Sequence, residues 1–164
     1  MKQFLFLALL LLAGLLSSAQ PRQMPQPGKR TVPFANQKLA TWDTNVLELI
    51  VQDSSKFNII LFSASWCPPC IAIIPLLKEI YEDLGDKLIM TYVSVDEERT
   101  AEAWRRKMRT HEIPWRSLMA WGRHPEIYNG PIPHAILVHP NTMYWEFLNV
   151  RNERDRRRLY ELVR

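Results

Sequence analysis

The chain has 164 residues, 47% hydrophobic and 23% charged, with six Trp, six Phe and five Tyr. That is about one domain with enough apolar surface to fold, which excludes a wholly disordered or collagen-like protein. Its two cysteines exclude a disulfide-dense scaffold and a four-thiolate zinc site, and 21 Lys and Arg against 17 Asp and Glu give +4, too small an excess to indicate a nucleic-acid partner.

Met1 and Lys2 give a positive start, and residues 4–16 carry no charge, with ten Leu or Phe among thirteen. Ser17, Ser18 and Ala19 then supply small residues, completing the pattern of a signal peptide over 1–19 cleaved after Ala19. An uncleaved anchor is the alternative, but thirteen helical residues rise about 20 Å against a hydrocarbon core of roughly 30 Å. The expected mature form therefore does not span a membrane. Export would place both thiols where disulfides persist. Residues 20–30 hold three Pro, three Gln and one Gly and read as part of a flexible linker over 20–37. The folded domain is expected over 38–164, its start falling near Thr31 or Lys38.

Within the domain, Val46, Leu47, Ile50 and Val51 have the spacing of a helix over 42–52. Ile59, Ile60, Leu61 and Phe62 form an apolar run without alternation, as in a strand covered on both faces. A second such run spans 88–95. Between them Ile73, Leu77, Ile80 and Leu84 predict a helix over 68–84, so the three elements make a βαβ unit with a parallel strand pair. Ala101, Trp104 and Met108 mark one stripe of a helix over 98–109. Residues 110–133 contain four Pro and two Gly and read as a long connection with one helical turn near Leu118. Strands at 135–138 and 144–150 flank His139, Pro140, Asn141 and Thr142 at hairpin spacing, and 152–164 closes as a helix. The fold class is α/β with a mixed sheet. Trp42, Trp104 and Trp145 are expected in the core, Trp115 and Trp121 in the core or near the site, and Asp96 as a helix cap. The six Arg of 151–164 read as a solvated face, with a membrane-surface or acidic-partner contact as the sharper possibility.

Cys67 and Cys70 sit where the first apolar strand becomes a helix, three residues apart, within disulfide reach. Pro68 holds Cys67 extended and suits the first helical position, which makes Cys67 the N-cap, Pro69 the second helical residue and Cys70 the third. Backbone amides and the helix dipole there favour thiolate over thiol, so Cys67 is the expected nucleophile. Cys70, more covered, is the expected resolving thiol. The scheme requires Cys67 to be reachable rather than sealed under side chains. Because neither proline has an N–H, only the Cys70 amide remains to hold the Cys67 sulfur, which predicts a less stabilised thiolate and a more reducing couple. A structural bridge and a zinc half-site are alternatives; His111, His124, His134 and His139 show no ligand spacing for the latter.

Trp66 to Cys70, WCPPC, on a strand-to-helix turn resembles the active site of the thioredoxin superfamily. The longer string FSASWCPPC is similar to tryparedoxins and nucleoredoxins, and an exported chain of this size resembles the TlpA/ResA group of envelope thiol-disulfide oxidoreductases. VSVDEE at 93–98 and Ile113-Pro114-Trp115 extend the likeness to tryparedoxins. Pro75 matches the family's proline in the active-site helix. Gly130-Pro131-Ile132-Pro133 resembles its cis-proline loop, with Pro133 as the cis residue, Pro131 as the other candidate, and Ile132 offering its backbone to substrate. Two positions depart from the pattern: Leu61 stands where thioredoxins carry a buried Asp, and Ile73 where ResA-like proteins carry a Glu. The proton acceptor for Cys70 is then water or His134, which follows the presumed cis-proline.

The resemblance implies a thioredoxin fold, with the βαβ unit and C-terminal hairpin flanked by helices. Trp66, Pro68, Pro69 and Pro75 would support the pair, with Trp66 shielding it and bordering a peptide groove. Ile132, Pro133 and His134 would line the substrate site. The implied activity is exported dithiol–disulfide exchange, reducing protein disulfides through Cys67 and Cys70. Recharging would come from a membrane dithiol donor, and the compartment would be the periplasm in a Gram-negative cell. No cofactor or metal is expected, because the Cys67–Cys70 pair itself carries two electrons. The alternatives are a disulfide donor or isomerase, and a Cu(I) metallochaperone using Cys67, Cys70 and His134.

Overall fold

The computed structural model of the chain describes residues 32–164 apart from 123, 124, 126, 127 and 129. The expected signal, 1–19, and residues 20–31 of the expected linker lie outside the described residues, as does His124. The other end of the linker is corrected. Val32–Ala35 forms a helical turn, α1, and Phe34 and Ala35 are buried; one docked aromatic ring orders the segment, so the fold begins before Lys38.

Among the described residues seven strands form one sheet: β1 (Lys38–Thr41), β2 (Leu47–Leu49), β3 (Phe57–Ser63), β4 (Leu88–Ser94), β5 (Arg116–Met119), β6 (His134–Val138) and β7 (Trp145–Phe147). Their order is β2-β1-β5-β4-β3-β6-β7. The central β3, β4 and β5 are parallel. The pairs β1–β2, β1–β5, β3–β6 and β6–β7 are antiparallel, so the sheet is mixed. The helices are α2 (Pro68–Ala72), α3 (Ile74–Leu84), α4 (Ala101–Thr110) and α5 (Glu153–Val163). The βαβ unit runs from β3 through α2 and α3 to β4, with Phe57 opposite Leu88 and Ser63 opposite Ser94.

Three expected elements differ. Residues 42–52 are not a helix. Asn45 takes a positive φ of 59°, and Thr41 N–H donates to Val46 O at 2.8 Å, closing a hairpin into β2. Val46 and Leu47 are exposed while Ile50 and Val51 are buried; the helix-like spacing combined an edge strand with the buried segment after it. Arg116 secures that edge by donating to Leu49 O, Ile50 O and the Glu48 carboxylate. The helical turn expected near Leu118 is instead β5, whose backbone pairs with β1 on one side and β4 on the other. The helix expected over 68–84 breaks at Ile73, which ends α2 and precedes α3. Pro75 lies in the first turn of α3, where its missing N–H leaves no bond back into α2.

Strand alternation divides the core. Ile59 and Leu61 join a cluster with Leu77 and Ile80 of α3, Trp104 and Met108 of α4, and Leu159 and Val163 of α5. Ile60 and Phe62 point the other way and pack with Phe34, Ile50, Val93, Ile136, Cys67 and Cys70. Both faces of β3 are thus covered, which is why its sequence is apolar without alternation. Trp104 and Trp145 are fully buried, Trp115 is buried as well, and Trp42 and Trp121 pack half-buried against the first cluster.

Candidate active site

β3 ends at Ser63, and Ala64, Ser65 and Trp66 lead into α2. Cys67 has φ −102° and ψ 95°, the extended backbone that a following proline imposes. It is the N-cap of α2, and its Sγ accepts the Cys70 N–H at 3.2 Å. Pro68 and Pro69 occupy the first two helical positions and are exposed, so the Cys70 amide is the donor the first three helical residues retain. Cys67 and Cys70 are joined by a disulfide with their Cα atoms 5.3 Å apart.

In this oxidised state both cysteines are covered: Cys67 is 3% exposed and Cys70 1%. Cys70 is the more covered of the two, as expected, but only by a small margin. Cys67 is itself largely covered, so the reach that the scheme requires of it is not present in the disulfide-bonded state and has to open on reduction or docking. Trp66 is 62% exposed. Its side chain stands mainly in solvent.

Two charged groups lie behind the turn. Asp96, buried, accepts from Ser65 N–H at 2.8 Å, Ser65 Oγ at 2.5 Å and Ser94 Oγ at 2.8 Å. The expected helix cap is corrected: the side chain of Asp96 turns back to the loop before Cys67, and the residue preceding the helical turn Glu98–Thr100 is Glu97. Lys107 of α4 is 6% exposed. It donates to Ser63 Oγ at 3.1 Å and Ala64 O at 2.9 Å, and its ammonium lies 4.9 Å from the centre of the Trp104 ring. Burial pulls its pKa down to about 8, against the opposing pull of Asp96. Composition gave no sign of it, yet position 107 falls three residues after Trp104, on the helix side that faces the core.

The antiparallel pairing of β6 with β3, Phe62 opposite His134 and Leu61 opposite Ala135, brings the segment before β6 to the end of β3 that carries the cysteine turn. The Ile132–Pro133 peptide there is cis. A groove of about 580 Å³ runs between this segment and α2, lined by Leu61, Pro69, Ile73, Ile132, Pro133 and Arg151 among others. Leu61, at the position where the resembling thioredoxins carry an acid, makes the groove's floor apolar. Arg151 is exposed, as expected of a solvated face, and it also donates to Pro69 O at 2.9 Å, so it contacts the active-site helix. His134 is half-buried between the rings of Phe62 and Phe147, at 5.9 and 5.1 Å. Burial lowers its pKa, which keeps it neutral at pH 7. Among the described residues no group of three His, Cys, Asp or Glu is placed to hold a metal ion while Cys67 and Cys70 are joined as a disulfide.

A sequence model of the family described as thioredoxin matches residues 38–140. Thioredoxin Y2 of Arabidopsis thaliana chloroplasts is 30% identical over 94 residues, 57% of this chain and 54% of that protein. Thioredoxin of Bacillus subtilis is 47% identical over 36 residues, 22% of this chain and 35% of that one. The matches thus span about half or less of these relatives' length. Among solved structures, the thioredoxin domain of a thiol-disulfide oxidoreductase from Bacteroides vulgatus superposes with a TM-score of 0.71 at 16% identity, covering 85% of this chain and 99% of that one. A secreted disulfide oxidoreductase of Mycobacterium tuberculosis gives 0.62 at 15% identity, over 71% and 85%. At such identities the likeness is one of fold.

Proposed function

The chain belongs to the thioredoxin family, and on that premise we propose that it is a thiol–disulfide oxidoreductase working in the reducing direction on protein disulfides. The observation that carries this reading is Cys67 Sγ at the N-cap of α2, accepting the Cys70 N–H at 3.2 Å. The same amide and the helix dipole stabilise a thiolate once the pair is reduced.

In the first step the Cys67 thiolate attacks one sulfur of a substrate disulfide. A mixed disulfide forms, and the other substrate sulfur leaves as thiolate. Cys70 then gives its proton to solvent and attacks Cys67 Sγ, closing the Cys67–Cys70 disulfide and releasing the second substrate thiolate. Two electrons have passed from the pair to the substrate, with no cofactor required. The cis segment at Ile132 and Pro133 presents backbone beside the pair for an extended substrate, and exposed Trp66 adds an aromatic surface. The two prolines support the reducing direction, because they withhold the amides that would stabilise the thiolate further. The apolar, charged-start segment 1–19 supports export, to the periplasm in a Gram-negative cell. In that oxidising compartment, a membrane dithiol would return the electrons.

Replacing Cys70 by Ala tests the scheme. The variant should accumulate mixed disulfides through Cys67 that dithiothreitol releases, while Cys67→Ala should trap nothing and lose insulin reduction. Trapping through Cys70 in the Cys67→Ala protein, or unimpaired insulin reduction by it, would refute the assignment.

A further inference from the structure

The Ala64–Ser65 peptide, two bonds upstream of the Trp66–Cys67 peptide, is held at both ends by charge. Its carbonyl accepts from Lys107 Nζ at 2.9 Å and its N–H donates to Asp96 Oδ2 at 2.8 Å. That same carbonyl also accepts the Cys67 N–H, at 3.4 Å. The neighbours on either side are tied in as well: Ser63 Oγ takes a second bond from Lys107, and Ser65 Oγ bonds to Asp96. Behind them Val95 N–H donates to Ser63 O at 2.9 Å, and Asp96 N–H donates to Ser94 Oγ at 3.1 Å.

We propose that Lys107 and Asp96 are positioning residues for Cys67, a buried pair of opposite charges that orients the Ala64–Ser65 peptide and thereby sets the reactivity of the sulfur that follows it. The inference rests on the oxidoreductase reading for its functional consequence, but not on the direction of exchange or on export. Neither residue touches the sulfur; each acts through the loop.

The physical case starts from cost. A lysine with 6% exposure has lost most of its hydration, and a methionine of similar length would fill the space without that penalty. Among the described residues, the charge acting on Lys107 is that of Asp96. Ser63 on β3 presents a hydroxyl and Trp104 on α4 a ring. The two charges therefore find their compensation in each other and in the peptide between them. An ammonium on Ala64 O polarises the acceptor that Cys67 N–H also uses, so the protonation state of Lys107 is felt at the N-cap residue through one shared oxygen.

The oxidised protein gives a clean test, since neither cysteine then titrates. Backbone amide resonances of Ser65 and Cys67 are followed by NMR between about pH 6 and about pH 10 in wild type and in Lys107→Gln. A common step near pH 8, where Lys107 loses its proton, is expected in wild type and absent from the variant. In the reduced proteins, alkylation of Cys67 by iodoacetamide, located by peptide mass, should slow roughly tenfold in Lys107→Gln and in Asp96→Asn, with unchanged circular dichroism. A flat wild-type amide profile through pH 8 overturns the proposal. So does a folded Lys107→Gln protein with the wild-type alkylation rate and pH profile. Should the substitutions prevent folding, the wild-type titration decides alone. Because it needs no turnover, it also separates failure of the clamp from failure of the oxidoreductase assignment.

Discussion

Replacing Pro69 by Ala restores a backbone N–H at the second helical position, one of the two from which an N-cap side chain accepts. Cys67 Sγ takes a single bond from this turn, from Cys70 N, so the new donor adds to an unsaturated acceptor. Pro69 is exposed, and its carbonyl, which holds Arg151, survives the change; little packing is lost. A hydrogen bond to a charged group contributes about 1.5–3 kcal/mol. Taking the low end because the turn borders solvent, the Cys67 thiolate gains about 1.5 kcal/mol, which moves its titration midpoint down by about one pH unit.

That stabilisation belongs to the reduced, ionised form alone. For a two-electron couple it raises the potential by about 30 mV at pH values above both midpoints. Below them the shift shrinks, because a protonated thiol gains little from the added donor. Equilibration with glutathione at several pH values, read by separating oxidised and reduced protein after acid quench, gives the potentials; the ultraviolet absorbance of the thiolate, followed against pH, gives the midpoint. A Pro69→Ala protein whose midpoint and potential both match wild type at high pH would refute the idea that the prolines limit thiolate stabilisation.

Glu146 receives the Arg158 guanidinium at 2.6 and 2.7 Å and His139 Nε2 at 2.8 Å, tying β7 to α5 and to the end of β6. Burial pushes its carboxyl up, but these hydrogen bonds and charges outweigh it and hold the pKa below 4.5. A depressed acid adds stability that is present above its unfolded value and is lost as pH falls through the folded one. Glu146→Gln should therefore melt about 3 °C lower at neutral pH, with the gap closing below about pH 4; a constant gap in scanning calorimetry would contradict this. Trp104, fully buried, donates Nε1–H to Ser117 Oγ at 2.9 Å. Trp104→Phe removes volume and leaves that hydroxyl without its donor, at a cost of about 2 kcal/mol in urea unfolding, and a loss under about 0.5 kcal/mol would show that the site collapses around the gap.

The legible features were those whose causes lie within a few residues. Pro68 dictates the backbone of Cys67, and the spacing of the cysteines dictates that they can bond, so the N-cap, the disulfide and the bond from Cys70 N–H could be written down before any fold was known. Apolar runs bounding a periodic helix gave the parallel pair of β3 and β4 in the same way. The cis peptide at Pro133 was legible only through family resemblance, since most prolines are trans and nothing local selects this one.

What only the tertiary structure decided depends on partners far along the chain. β5 is a strand because β1 and β4 supply its hydrogen bonds; its four residues carry too little pattern to announce it. β2 read as helix because its apolar residues belong to an edge whose backbone is satisfied by β1 and Arg116. Lys107 and Asp96 are distant from Cys67 in sequence and meet its loop only when α4 packs against the sheet. Local sequence thus determined the geometry of the sulfur pair, while burial and long-range hydrogen bonding, which no short window contains, determined what surrounds it.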